Sequence, residues 1–225
     1  MATPSNGAHD SRIEDALKAI LRIETDNGSD VGAGVLGEEL RLAPGTVTTL
    51  VKDLDARGLV VYQPYRGVRL TPEGREQAIV MLRRHRLLEL FLVEMLGMDW
   101  AEVHSEAERL EHVVSDRLAE RLDETLGHPQ VDPHGDPIPP RNGPLPARHQ
   151  PSLLSCDERR DLTVSRISDQ TPDFLQLVDR IGLRPGSHVR VEERDDDAEI
   201  VQLRVETNGE VRLGMQAAEK ILVQY

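Results

Sequence analysis

Apolar positions along this chain change their period several times, and the changes divide it into parts. From Ser11 the spacing Ile13, Ala16-Leu17, Ile20-Leu21 predicts an amphipathic helix, capped by Asp10 or Ser11 and ending near Asn27-Gly28. The small polar residues 1–10 before it read as disordered. A second short helix is expected at about 33–41, after which Ala43-Pro44-Gly45 turns the chain into another. The stripe of this third helix is Val47, Leu50-Val51 and Leu54, and Gly58 stops it. Two short helices joined by a tight turn make a helix-turn-helix. The period then drops to two, since LVVYQPYRGVRLT alternates on both sides of Gln63-Pro64-Tyr65-Arg66-Gly67 and so predicts a two-stranded hairpin, a wing.

Thr71-Pro72-Glu73 opens the next helix, with Thr71 as cap and Pro72 at its first position. It leads into two helical segments, roughly 77–95 and 102–126, that meet at Gly97-Met98-Asp99. Leu87, Leu90, Phe91, Met95, Leu96 and Trp100 give this region more apolar surface than a helix pair buries internally, and the excess predicts a homodimer interface. Residues 127–151 are crowded with Pro, Gly and His, which forbids helix and marks a boundary. Beyond it, LTVSRI, SHVRVEE, EIVQLRVE, VRLGM and KILVQY read as strands, with one short helix at about 172–181. The expected fold is mainly α with a small β part. A winged helix-turn-helix occupies 1–76, a helical domain with a Pro-rich linker 77–150, and an SH3-like β-barrel 151–225.

A length of 225 residues suits that division, and 38% hydrophobic with only 3% aromatic residues means aliphatic cores. One cysteine, Cys156, excludes a disulfide framework. Residues 1–25 contain no apolar signal region and no apolar run reaches the length of a membrane span, so a cytoplasmic protein with no membrane partner is expected. The net charge of −13, taken whole, argues against nucleic acid. Its distribution argues the other way: residues 41–86 hold nine Lys/Arg against four Asp/Glu, and 87–150 hold five against thirteen. The basic block coincides with the helix-turn-helix and wing. Thr46, Thr48 and Thr49 are therefore expected toward base edges, and Lys52, Arg57, Tyr65, Arg66 and Arg69 toward the DNA backbone.

The acidic block carries the other candidate chemistry. A helix advances about 100° per residue, so His85 and Glu89 share a face. On the second segment His104, Glu108, Glu111 and His112 fall at about 0°, 40°, −20° and 80°, a single stripe. Six nitrogen and oxygen donors thus converge where the two helices pack, and such a set without sulfur suits Mn, Fe or Zn. The spacing is neither His-Glu-x-x-His nor a pair of Glu-x-x-His motifs, and no nucleophile or general-base constellation accompanies it, so an enzyme is not expected. A competing reading is a winged-helix regulator that senses a small organic ligand or a protein partner, its Glu/His stripe being only solvated. Asp15, off the apolar stripe of the first helix, is by itself a first-turn acid favoured by the helix dipole.

The segments RRHRLLELFL, EVHSEAERLEHVVSD and DPHGDPIP, in the order winged helix, acidic helices and SH3-like tail, resemble the diphtheria-toxin-repressor family of metal-dependent transcriptional regulators across nearly the whole chain. The resemblance implies a homodimer that binds divalent metal as co-repressor and occupies palindromic double-stranded operators of metal-uptake genes. It implies a primary regulatory site at Asp15, Glu108, Glu111 and His112, and an ancillary site at His85, Glu89 and His104 completed from the tail by Gln170 and Asp173. Iron-sensing members carry Cys where this chain has Glu108 and Met where it has Asp15. Hard oxygen in place of soft sulfur suits Mn(II), the manganese branch, with Fe(II), Co(II), Zn(II) or Cd(II) as substitutes and an Fe(II)-responsive repressor as the alternative. That branch often has a second acid one turn after the Asp, where this chain has Lys18, and often lacks the tail.

Overall fold

The computed structural model describes residues 5–28, 30–141, 143, 145 and 150–225. Contacts divide the chain into two units. The first holds the described residues of 1–85, 111–114 and 139–147, and the second those of 86–110, 115–138 and 148–225. No helix among the described residues is long and apolar enough to cross a membrane.

The first unit begins with α1 (Ser5–Asn27), followed by α2 (Ala33–Leu40) and α3 (Pro44–Ala56). Its hairpin pairs β1 (Val60–Gln63) with β2 (Gly67–Leu70), and α4 (Pro72–Leu96) starts immediately after. The predicted stripes are the core: Ile13, Ala16, Leu17, Ile20 and Leu21 of α1 share one buried cluster with Val47, Leu50, Val51 and Leu54 of α3. Pro44 supplies a pre-set first turn to α3, and Arg41 in the left-handed region ends α2. Residues 5–10, expected to be disordered, instead continue α1, because extending an established helix costs far less than nucleating one. Residues 1–4 of that expectation lie outside the described residues. The Thr71 hydroxyl caps α4 by accepting from Gly74 N at 3.1 Å. At Gly74 the helix presses on the end of α3's connection to the wing, and a Cβ built there would lie 1.9 Å from the Leu59 carbonyl oxygen.

The second unit contains the rest of α4, then α5 (Val103–Leu110) and α6 (Asp116–Thr125). The helix predicted over 102–126 is thus two helices. Ser115 breaks it by capping α6, its side chain accepting from Leu118 N at 3.3 Å, with Asp116 in the first turn. Glu111 and His112 therefore leave the helical stripe assigned to them and sit in the turn beyond α5. The helix expected over 77–95 is in fact the continuation of the one opened at Pro72. Leu87, Leu90 and Trp100, expected at a dimer interface, are interior to the chain, whereas Met95 and Leu96 are exposed.

An antiparallel five-stranded sheet completes the unit, formed by β3 (Leu162–Ile167), β4 (His188–Asp195), β5 (Ile200–Val205), β6 (Gly209–Gly214) and β7 (Ile221–Gln224) in the order β6-β5-β4-β3-β7. Bulges at Val164/Arg166 and Val191/Glu193 curl it, and α7 (Pro172–Arg180) and the short α8 (Met215–Ala218) complete the barrel-like tail. Residues 131–138, read as a linker, are largely buried in this unit. Gly135, at φ +86°, makes that burial geometrically attainable, since a Cβ there would lie 2.0 Å from the Ser165 carbonyl oxygen. The linker expectation at 146–149 falls outside the described residues.

Gly74→Ala should destabilise the chain by about 2 kcal/mol or more, because the added methyl meets backbone oxygen that no rotamer change can move. Urea denaturation followed by circular dichroism reads this directly, and a midpoint equal to the parent's would contradict the close approach.

Candidate metal centres

In the first unit, α1 presents Glu14, Asp15 and Lys18 within one turn, so that all three can face the turn holding Glu111 and His112. His112 Nε2 lies 3.1 Å from Asp15 Oδ1 and 3.8 Å from Glu111 Oε1, while its Nδ1 lies 2.7 Å from Glu14 Oε2. One ligand atom each from Asp15, Glu111 and His112 falls within 4.8 Å of the others, the spread a single ion needs. Glu111 is fully buried and held on both oxygens, Oε1 by Lys18 Nζ at 2.5 Å and Oε2 by His85 Nδ1 at 2.5 Å. Burial alone would raise its pKa, but His85 and Lys18 outweigh that and leave it lowered. The resemblance places His85 in an ancillary site. One of its ring nitrogens is committed to Glu111, and along α4 it precedes Glu89 by one turn.

A second cluster lies wholly within the second unit. Glu89, Asp132 and His134 are all buried, with one ligand atom of each within 4.8 Å of the others. His134 Nε2 is 2.8 Å from the Trp100 carbonyl, which can only accept, so the proton sits there and the Nδ1 lone pair is left bare. That Nδ1 has no hydrogen-bond partner and lies 3.9 Å from Glu89 Oε2. Asp132 Oδ1 accepts from His134 N at 2.8 Å and Asp136 N at 3.0 Å, but its Oδ2 is buried without a hydrogen bond, the Arg86 guanidinium lying 3.6 Å away. Burial and the negative charges of Asp136 and Glu89 push the Asp132 carboxyl well above the usual range. Two buried acceptors without a hydrogen bond beside a third carboxylate, with Arg86 as the neighbouring cation, form a nitrogen-and-oxygen donor set that a divalent ion would fit.

His104 Nδ1 lies 2.9 Å from Glu89 Oε1, and His104 Nε2 lies 3.4 Å from Glu108 Oε1 one turn along α5. Burial would lower the His104 pKa, yet hydrogen bonds and charge from Glu108 and Glu89 push it up to about 9. Gln170 donates to Asp136 Oδ2 at 2.5 Å, and Asp173 is exposed in the first turn of α7. Asp132, His134 and Glu14 are candidates that the sequence patterns do not single out: the prolines of DPHGDPIP predict a boundary, and the one legible signal is two donors two positions apart in a turn.

On the wing side, Thr46, Thr49, Lys52, Tyr65 and Arg66 are exposed and Thr48 is half-buried. The Thr48 and Thr49 hydroxyls donate back to Pro44 O and Gly45 O, both at 3.0 Å. Arg57 pairs with Asp53 at 3.0 Å, Arg69 with Asp30 at 2.5 Å, and Arg66 donates to Gln63 at 3.5 Å. Tyr65, at φ 66°, projects fully from the hairpin tip.

Residues 10–68 match the family model described as iron dependent repressor, N-terminal DNA binding domain, and residues 71–140 the model for the metal binding and dimerisation domain of iron dependent repressors. Residues 152–225 match the FeoA domain. The chain is 31% identical to the iron-dependent repressor IdeR of Mycobacterium leprae over 188 residues, 78% of this chain and 81% of that one. It is 31% identical to the diphtheria toxin repressor of Corynebacterium diphtheriae over 191 residues, 80% and 83% of the two chains. Among solved structures, a manganese-dependent transcriptional repressor in complex with manganese aligns with TM-score 0.86 at 40% identity, covering 94% of this chain and 98% of that one. ScaR with bound Zn2+ aligns at 0.78 and 33%, covering 94% and 98%.

Because the folded His104 pKa of about 9 exceeds the ordinary 6.5, its ion pairs contribute stability that is complete below pH 6.5 and is lost as pH rises through about 9. Metal-free protein should accordingly show a melting temperature that declines across this window. In His104→Gln the decline should be shallower, and parallel curves would remove His104 as its source.

Proposed function

The chain belongs to the diphtheria-toxin-repressor family of metal-dependent DNA-binding transcriptional repressors, and from that premise we propose that it is a manganese-activated homodimer that shuts off manganese uptake from palindromic operators. The observation that carries the reading is the convergence of Asp15 with Glu111 and His112, residues far apart in sequence whose donor atoms gather within 4.8 Å. These three would hold the regulatory ion, and Glu89, Asp132 and His134 a second one. Both sets consist of nitrogen and oxygen alone. Cys156, the one thiol, is buried in the core of the tail and belongs to neither, which favours Mn(II) over softer ions. We assign DNA reading to residues 1–76, dimerisation to 77–150 and a supporting role to 151–225.

The bound ion would supply positive charge at a fixed point. This chain's own residues do the rest: Asp15 ties α1, the first helix of the DNA-binding part, to the turn at 111–112, and His85 holds Glu111 in place from α4. Fixing α1 narrows the range of positions open to α3 and the wing, where Thr46, Thr48, Thr49, Lys52, Tyr65 and Arg66 face outward and Arg57 and Arg69 would exchange their present carboxylate partners for phosphates. Two-fold partners read half-sites about 34–36 Å apart, so restricting recognition-helix position raises the operator-competent fraction. By linkage the operator raises metal affinity by the same factor, ordinarily about 5–150-fold.

An Fe(II)-responsive repressor is the second reading, favoured by relatives that are named iron-dependent repressors. Operator binding titrated anaerobically with Fe(II) and with Mn(II) separates the two.

Asp15→Ala should leave a dimer on gel filtration whose operator affinity in saturating Mn(II), at fixed salt, falls close to the metal-free value. If this variant keeps the parent's fold increase, α1 is not part of the switch. His134→Ala should bind one Mn(II) fewer per chain in equilibrium dialysis, and undiminished stoichiometry would leave the buried cluster without an ion.

A further inference from the structure

The two oxygens of Glu111 do different work. Oε2 is paired with His85, whereas Oε1 is the oxygen that lies 3.8 Å from the Nε2 of His112, which itself lies 3.1 Å from Asp15. That same Oε1 is held by the Lys18 ammonium at 2.5 Å. A metal ion on Asp15, Glu111 and His112 and the ammonium of Lys18 therefore require one oxygen. We propose that Lys18 is an internal competitor for the regulatory metal: a tethered cation that neutralises Glu111 in the metal-free chain and sets the Mn(II) concentration at which the site fills. The inference rests on the metal reading above and adds to it a residue that ligates nothing.

The geometry gives Lys18 both halves of that role. Its side chain is only 14% exposed where it meets a carboxylate with no exposure at all, so the pair is poorly screened and removing one partner leaves a buried charge. The four-carbon stem, rooted on α1 three residues after Asp15, also allows the ammonium to leave by rotamer change while the helix stays in place. Glu14, one turn before Lys18 on α1 and not one of the three donors, is a carboxylate within helical reach of the displaced ammonium. A divalent ion arriving at Asp15 and His112 repels the ammonium as it takes the oxygen. Filling the site thus exchanges one cation for another, and its threshold reports the difference between them. The exchange also keeps this centre to a single metal ion, because the ammonium remains close by.

The test compares Mn(II) titrations, with free ion followed by its paramagnetic resonance signal, for the full-length parent, Lys18→Met and Lys18→Arg. Lys18→Met removes the charge and should bind Mn(II) about tenfold more tightly or better, given the size of a unit-charge interaction at such range. Lys18→Arg keeps the charge and should stay within about threefold of the parent, on the same reasoning. The gain should vanish when Asp15→Ala is added, which assigns it to this centre. Melting of metal-free Lys18→Met should fall below the parent's and recover in MnCl2. Should Lys18→Met not fold without metal, Lys18→Gln, which keeps an N–H for Glu111, carries the same comparison. Equal or weaker Mn(II) binding by the uncharged variants, or failure of both to fold even in MnCl2, would overturn the proposal and make Lys18 a structural counter-ion. A parent that binds no Mn(II) would instead overturn the metal reading itself.

Discussion

One buried carboxylate imposes the strictest condition on the DNA-binding unit. Glu111 has no exposure to water, so its charge must be answered inside the protein, and the chain answers it from α1 with Lys18 and from α4 with His85. A hydrophobic residue at 111 would fold with less difficulty. Keeping an acid there makes the position of α1 depend on a cation, and an arrangement that depends on a cation can be set by the supply of one. Asp15 and His112, drawn to the same place, would on the proposed reading extend that dependence from the ammonium the chain carries to an ion taken from solution.

The second unit leaves buried acceptors without a hydrogen bond. Glu89 has the His104 ring, but Asp132 Oδ2 and His134 Nδ1 are buried with no hydrogen bond. The lone-pair direction at His134 is fixed by the Trp100 carbonyl on the far side of the ring, and the Asp132 carboxylate is fixed by two backbone N–H groups on its other oxygen. Both donors are oriented from behind and left bare in front. Such pre-orientation removes the reorganisation cost an ion would otherwise meet, at the expense of a metal-free state that holds unsatisfied polar atoms.

The two sets therefore suit different duties. On the proposed reading, an ion at Asp15 would have to displace the Lys18 ammonium, which would give that site a threshold. Asp132 and His134 lie among buried residues, beside the Arg86 guanidinium, and are bridged to β3 through the Ile167 N to His134 O hydrogen bond of 2.9 Å.

The sequence by itself determined most of the elements. Periodicity sufficed for α1, α2, α3, the wing and all five strands of the tail because each is a local pattern with one buried face, and Val47, Leu50, Val51 and Leu54 are buried as their spacing required. The donor types were legible too, since imidazole and carboxylate without sulfur narrow the metal whatever their arrangement. Tertiary structure alone decided which donors meet. Helical phase placed Glu111 and His112 on a stripe with His104 and Glu108, but the cap at Ser115 ends that helix at Leu110 and turns both residues out of phase. Proline makes 131–138 look like a linker, because local signals report backbone propensity and not burial, and only packing at Gly135 brings its Asp and His into the interior. Lys18 is the sharpest case. On the sequence it is a departure from a pattern of acids, and only the fold, by setting its ammonium on the metal-facing oxygen of Glu111, gives that departure a physical meaning.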